Sequence, residues 1–416
     1  MNMEEKKIFT LQDAVKISGP TAFSSMVKPA GSACNLDCSY CYYLDKAIQY
    51  GGKEAVMKED LLELYVKQYI QANDVPEVTF LWHGGEPLLL GVDFYRKALQ
   101  FQQKYADGKV IHNSLQTNGT LVNDDWCRLF TEGNFLVGIS LDGPKYVHDA
   151  FRHTNRLLPT YDTVMSAVRL FHRHGVEFNT LSVVNKLCES RGAEIYRFFK
   201  EIVKSKYMQF LPAVEHVVDK PDFHRPVIVS PEQEGARLAP WSVSAKGYGK
   251  FLCDMFDVWV KNDVGDIFVQ MFDATLAQYC GVQPGVCSMC ETCGDALVVE
   301  HNGDVYSCDH FVYPEYLLGN IRQTPLVDIY NSPKRVQFGL GKRNTLPAEC
   351  LKCQWYFACR GECPKHRFEK GADGGPKNSL CEGLKMYFEH VAPYMEVMKG
   401  LIANGQAPSM VMRLGL

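Results

Sequence analysis

Phe23-Ser24-Ser25-Met26-Val27-Lys28, running on through Pro29-Ala30-Gly31-Ser32-Ala33 into Cys34-Asn35-Leu36-Asp37-Cys38-Ser39-Tyr40-Cys41, is a short β-rich run that empties into a loop carrying three thiols. The same order of strand, polar loop and helix repeats downstream. β-rich runs recur at Val78–Trp82, Val110–Gln116, Phe135–Leu141, Glu177–Val184 and Met208–Val214, with helical patterns at Glu59–Ala72, Val92–Tyr105, Asp124–Glu132, Tyr161–His174 and Gly192–Lys204. Six strands alternating with helices predict parallel βα units, an α/β partial (β/α)6 barrel that falls short of eight-fold closure. The loops after the strands hold the polar signals: Cys34–Cys41, His83-Gly84-Gly85-Glu86-Pro87, Thr117-Asn118-Gly119, Ser140 with Asp142-Gly143-Pro144, then Asn185 and Pro212. Parallel βα architectures gather ligands at the carboxyl ends of their strands, so these separate segments are expected to line one mouth.

Around that barrel the composition is ordinary for a globular chain. The 416 residues are 46% hydrophobic and 22% charged, enough to build a core, and a rough prior of about 150 residues per domain gives two or three domains. Lys plus Arg (44) nearly balances Asp plus Glu (48), which removes the basic footprint of a nucleic-acid binder. Met1–Lys16 is charged and lacks a signal-peptide core, and no apolar run is long enough to span a membrane, so a cytoplasmic protein is expected. In a reducing compartment the sixteen cysteines read as metal ligands or catalytic groups rather than disulfides. The expected division is an N-terminal extension over 1–22, the barrel with its linker over 23–261, and a cysteine-rich unit over 262–416. That last unit is expected to be loop-rich, held by metal rather than a large apolar core, and to end in a helix near Leu380–Ala403. His216–Trp241 reads as an irregular loop between the two.

Cys34-x3-Cys38-x2-Cys41 offers three thiolates with no fourth nearby, since the next cysteine is Cys127. Structural zinc takes four closed ligands, whereas three thiolates on a [4Fe–4S] cube leave one iron open. This spacing resembles the radical S-adenosylmethionine (SAM) superfamily, and Gly84-Gly85-Glu86-Pro87 resembles its GGEP segment. The resemblance implies that Gly84, Gly85 and Glu86 lie against the methionyl amino group of SAM. It further implies that Ser140 and Arg152 meet its ribose and carboxylate, that Tyr40 and Leu211 meet its adenine, and that His83 faces the same site. Leu211 reads equally as a core strand residue, and Thr117-Asn118-Gly119 as a simple turn.

The second cysteine field runs Cys287, Cys293-x9-Gly303-x4-Cys308, Cys350-x2-Cys353-x5-Cys359-x3-Cys363 and Cys381, and resembles the SPASM domain of radical SAM peptide-modifying enzymes. By that resemblance Cys287, Cys293, Cys308 and Cys363 hold one auxiliary [4Fe–4S] cluster, and Cys350, Cys353, Cys359 and Cys381 the other, giving three clusters in all. A zinc ribbon is the alternative for the CxxC pairs. Cys290 has no partner in this scheme, and Cys127, Cys188, Cys253 and Cys280 read as core thiols.

Within that group the chain resembles the anaerobic sulfatase-maturating enzymes from Met26-Val27-Lys28-Pro29 through Tyr42-Tyr43 to Cys381. The resemblance implies oxidation of an active-site Cys or Ser of an unfolded sulfatase polypeptide, in a Cys-x-Pro-x-Arg or Ser-x-Pro-x-Arg motif, to Cα-formylglycine. It also implies a flavodoxin or ferredoxin as electron donor. In Tyr306-Ser307-Cys308-Asp309 the family's proposed general base is Asp309, and Tyr43 corresponds to a residue near the substrate peptide. Two other readings stay open: another SPASM-type maturase, such as a thioether-forming one, and a non-catalytic iron–sulfur carrier or zinc-binding protein.

Overall fold

The computed structural model describes residues 21–43, 46–50, 56–220, 225–229 and 233–413. The sequence rhythm becomes β1 (Ser24–Lys28), α1 (Glu59–Ala72), β2 (Glu77–Trp82), α2 (Val92–Tyr105), β3 (Val110–Thr117), α3 (Asp124–Glu132), β4 (Phe135–Ser140), α4 (Tyr161–His174), β5 (Phe178–Val184), α5 (Gly192–Arg197) and β6 (Tyr207–Pro212). Each strand pairs in parallel with the next, from β1 to β6. β4 is buried along nearly its whole length, as expected where helices cover both faces of a parallel sheet. Helix starts are marked chemically: α1 carries Glu59 and Asp60 in its first turn, and the Asn123 side chain accepts the Trp126 N–H at 3.1 Å to cap α3. The single helix expected over Gly192–Lys204 changes character at Phe198, widening into a π-helical turn through Val203 before Lys204 closes it in a left-handed conformation.

The sheet continues past the six strands at both edges. β7 (His216–Val218), β8 (Val227–Val229) and β9 (Arg237–Leu238) form a small antiparallel sheet in the order β8-β7-β9, so the irregular loop expected at His216–Trp241 is in part regular structure. Strands this short leave no alternating run long enough to read. After α6 (Ala245–Asn262), β10 (Phe268–Val269) adds to β6 in parallel. On the other edge β11 (Ala296–Glu300) lies parallel to β1, and β12 (Asp304–Tyr306) and β13 (Leu317–Asn320) follow antiparallel. The result is one ten-stranded sheet, ordered β10-β6-β5-β4-β3-β2-β1-β11-β12-β13.

This continuity corrects the expectation that metal rather than apolar packing holds residues 262–416. Phe272, Leu297, Val299, Leu384 and Phe388 belong to the same buried core as Val27, Phe80, Trp82 and Phe171 of the barrel. The terminal helix α7 (Cys381–Ala403) lies along α6, and the two backbones meet at glycines. A Cβ on Gly383 would sit 1.8 Å from the Ala245 carbonyl oxygen, so only glycine permits this approach. Cys127, Cys188 and Cys253 are buried as core thiols, while Cys280 is half-buried. Of the expected extension over 1–22, residues 1–20 lie outside the described residues. Among the described residues, no helix is long and apolar enough to cross a membrane.

Candidate active site

Cys34, Cys38 and Cys41 sit on the loop that leaves β1. The Cys41 N–H donates to the Cys38 carbonyl at 3.0 Å, and the Leu36 N–H points at the Cys34 sulfur at 3.4 Å. Burial pushes the Cys38 thiol up to about 12 and raises Cys34 further, and charge on each of the three disfavours charge on the others. Three thiols, one buried and two half-buried, that repel one another as thiolates are the donor set a positively charged metal cluster stabilises, and they fit one.

The His83–Pro87 loop presses directly on this turn. Gly85 donates to the Gly31 carbonyl and Glu86 to that of Ala33, each at 2.8 Å. A Cβ on Gly85 would lie 2.1 Å from the Ala33 carbonyl oxygen, so the motif needs glycine to let the two loops touch. Glu86, expected against the amino group of SAM, carries internal donors on its side chain. Its carboxylate is fully buried, taking the Leu88 N–H at 3.0 Å, the Thr117 hydroxyl at 2.8 Å and the Asn118 N–H at 2.7 Å. It therefore ties the ends of β2 and β3 together from inside the mouth's floor. Thr117-Asn118-Gly119 is thus more than a turn, and the Asn118 amide also points at the Cys34 sulfur at 3.8 Å.

On the opposite wall, Asp142 gathers four donors. Arg152 grips it with two N–H groups at 3.0 and 3.1 Å, the Val183 N–H donates at 3.0 Å, and the Tyr40 hydroxyl completes the set. The Arg152 guanidinium also lies 5.4 Å from the Tyr40 ring centroid. Arg152 is therefore oriented by Asp142, a residue the sequence reading had not assigned to a role. Ser140 stands at the end of β4 and takes the Gln116 amide at 3.0 Å. Leu211 is 39% exposed, which removes the core alternative and puts an apolar side chain at the carboxyl end of β6.

Asp309 follows β12 and reaches back to the barrel, where Lys28 forms an ion pair with it and the Tyr42 hydroxyl donates to its other oxygen. Burial alone would raise the Asp309 carboxyl, but the Lys28 ammonium, helped by His83 and His310, outweighs it and holds the group well below the usual carboxylate range. His83 lies beside this pair; burial pushes its imidazole down to about 4, and its Nδ1 accepts the Gly84 N–H at 2.7 Å. Tyr43, expected near the substrate peptide, does not open to the surface: it is 2% exposed and its hydroxyl is committed to Glu300. Its ring instead carries Lys28, whose ammonium sits 3.4 Å from the ring centroid. Lys28, Tyr42 and Glu300 are site residues that sequence reasoning missed; only the buried strand end of Val27-Lys28-Pro29 hints at the first.

In the second cysteine field several thiols lie near one another. Burial raises the Cys308 and Cys363 thiols, and both feel Cys287; Cys308 also feels Cys293. Cys350, Cys353, Cys359 and Cys381 line one cavity, walled by Trp355, Leu384 and Phe388. Four thiols around one partly open cavity fit a closed iron–sulfur cluster. Cys290 is turned toward the Val286 carbonyl at 3.5 Å.

A six-stranded partial barrel with three thiols after its first strand, joined to a unit with two further thiol sets, defines a radical SAM enzyme with a SPASM domain. Such enzymes pair SAM with [4Fe–4S] clusters. Sequence comparison agrees: the radical SAM superfamily model matches residues 29–199, and the SPASM model, an iron–sulfur cluster-binding domain, residues 287–354. The chain is 49% identical, over 93% of its length and 94% of the relative's, to the serine-type anaerobic sulfatase-maturating enzyme of Bacteroides thetaiotaomicron. It is 35% identical to a cysteine-type enzyme of Clostridium novyi, over 88% and 95% of the two chains. A solved structure of anSMEcpe with bound AdoMet and the Cp18Cys peptide superposes with a TM-score of 0.79 at 32% identity, covering 91% of this chain and 99% of that one. The chain belongs to the anaerobic sulfatase-maturating enzymes.

Proposed function

We propose that Asp309 is the proton acceptor in the oxidation of a sulfatase Ser or Cys side chain to Cα-formylglycine, the reaction of this family. When bound, SAM and the clusters supply the 5′-deoxyadenosyl radical that takes one hydrogen atom from the target Cβ and the sink for one electron. The remaining proton, on the substrate hydroxyl or thiol, goes to Asp309, so that for serine two hydrogens leave and an aldehyde results, while for cysteine they leave a thioaldehyde that water hydrolyses to the aldehyde with release of hydrogen sulfide. Lys28 keeps that carboxylate ionised before substrate arrives, and the Asp309 side chain is 13% exposed. Tyr40 and Leu211 are suited to the adenine, Ser140 and Arg152 to the ribose and carboxylate, and the Gly84-Gly85 backbone, with His83 alongside, to the amino group. Cys34, Cys38 and Cys41 would hold the SAM cluster; Cys287, Cys293, Cys308 and Cys363 one auxiliary cluster; Cys350, Cys353, Cys359 and Cys381 the other.

The observation that carries this reading is the meeting of Asp309, next in sequence to an auxiliary ligand, with Lys28 and Tyr42 at the SAM side of the molecule. We further infer an extended sulfatase segment with a Ser-x-Pro-x-Arg or Cys-x-Pro-x-Arg motif as substrate, a flavodoxin or ferredoxin as reductant, and a cytoplasmic site of action. The test is the reconstituted Asp309→Asn enzyme with such a peptide under anaerobic reduction. Mass spectrometry should show the loss of two hydrogens from serine, or the thiol-to-aldehyde change from cysteine, with the parent enzyme only; normal product from Asp309→Asn would overturn the assignment.

A further inference from the structure

Three tyrosines surround the last thiol of the cluster loop, and each hydroxyl ends on a different carboxylate, two of them buried and the third, Asp309, half-buried. Tyr40 donates to Asp142, Tyr42 to Asp309 and Tyr43 to Glu300. The carboxylates belong to three separate parts of the sheet: the end of β4, the turn after β12, and the last residue of β11. None of them is free to follow the tyrosine. Asp142 is clamped by Arg152 and the Val183 N–H, Asp309 by Lys28, and Glu300 by the register that sets it opposite Lys28 between β11 and β1. The tyrosines have little play either, since Tyr40 is 7% and Tyr43 2% exposed and the Cys38–Cys41 turn is closed by a backbone hydrogen bond.

We propose that this triplet is a positioning device that couples the SAM pocket, through Tyr40, to the proton acceptor, through Tyr42. The inference rests on the reading of Asp309 as acceptor and of Tyr40 as an adenine contact. Hydrogen abstraction and proton removal act on neighbouring atoms of one side chain, and a displacement of about 1 Å between the two sites is costly. Cys41 lies between the two ties, so the residue that would hold the cluster's edge also sets the spacing between Asp142 and Asp309. The tie at Tyr42 joins the barrel to the β12 turn through a hydrogen bond to a charged group, the stronger kind of bond.

Removing the Tyr42 tie should uncouple the two half-reactions rather than abolish both. In reconstituted Tyr42→Phe enzyme, iron content and SAM affinity should match the parent and 5′-deoxyadenosine should still form. Formylglycine per 5′-deoxyadenosine should fall about tenfold, the size of one charge-assisted hydrogen bond. Amide exchange over residues 307–311 of the iron-loaded protein should quicken. Tyr40→Phe, which cuts the other end of the same link, should weaken SAM binding and also lower formylglycine per 5′-deoxyadenosine. The coupling is overturned if Tyr42→Phe keeps the parent ratio and parent exchange. It is equally overturned if both products fall in proportion, which is what a merely structural tyrosine would give. Asp309→Asn separates the premises: if that variant makes product normally the acceptor reading fails by itself, whereas an inactive Asp309→Asn beside an unaltered Tyr42→Phe leaves the acceptor standing and removes the coupling.

Discussion

Lys28 and Asp309 form an ion pair across the junction of barrel and SPASM domain, with the lysine side chain fully buried and the aspartate 13% exposed. A buried lysine at a strand end is costly unless paired, and here it is paired by the carboxylate and cushioned by the Tyr43 ring. Lys28→Met should therefore strand a partly buried anion. We expect a loss of about 3 kcal/mol in stability, typical of breaking one side of a buried pair, together with loss of formylglycine formation. Adding Asp309→Asn should restore much of the stability and none of the activity. Thermal unfolding of the two single variants and the double variant checks this; an additive double mutant would show that the pair is not coupled.

His148 gives a pH-dependent outcome beside Asp142, whose N–H lies 3.4 Å from its Nδ1. It is fully buried, its Nε2 lies 3.0 Å from the Thr160 hydroxyl, and burial pushes its imidazole down to about 4. The folded protein thus holds it neutral where the unfolded chain, titrating near about 6.5, would protonate it. The unfolded state binds the extra proton, so stability falls as pH drops below about 6.5 and stops falling from this source near the folded value. The contribution is about 1.4 kcal/mol per pH unit across that window. His148→Gln should flatten the urea-denaturation midpoint against pH between these limits by that amount; an unchanged slope would mean that the histidine is already protonated in the fold.

How far these features were legible follows from what each residue looks like outside its fold. The six strands and their helices stood out because β-branched and aromatic runs alternate with 3.6-residue periodicity, and Glu59–Ala72, Val92–Tyr105, Asp124–Glu132 and Tyr161–His174 appear with the expected bounds. The thiols were legible because cysteine at short spacing has few other uses in a reducing cell. Lys28 was not, because a lone lysine after an apolar run reads as the solvent end of a strand. The pairing of β1 with β11 was hidden for a different reason: it joins residues some 270 positions apart, and no local pattern encodes a partner at that distance. Glu86 was legible as a motif but not as to its job, since only the fold shows three internal donors already on its carboxylate.

The thiol sets separate by iron content. Replacing Cys34, Cys38 and Cys41 with alanine should leave about eight of about twelve irons, because two closed clusters remain. Cys290→Ser should leave all of them, as its sulfur points to the Val286 carbonyl at 3.5 Å although Cys287 and Cys293 lie nearby. Iron and sulfide analysis with Mössbauer spectroscopy reads both. Loss of about four irons from Cys290→Ser would move that residue into the ligand set in place of Cys287 or Cys293, the thiols beside it.

Gly85→Ala tests the contact between the two loops of the mouth. The added methyl carbon would need to occupy space 2.1 Å from the Ala33 carbonyl oxygen and 2.8 Å from the Ser32 carbonyl carbon, both backbone atoms that cannot rotate away. One of the loops must then move. The Glu86 loop is held by its bonds to Leu88, Thr117 and Asn118, and the cluster turn by backbone bonds from Asp37 to His153 and from Ser39 to Phe151. Because Ala33 immediately precedes Cys34, the shift reaches the cluster turn. We expect the variant to fold, because the core beneath is untouched, yet to lose about four irons and all SAM cleavage while both auxiliary clusters remain. Full iron with normal 5′-deoxyadenosine formation in Gly85→Ala would show that the two loops can separate without cost, and would remove the close approach as the reason for glycine at this position.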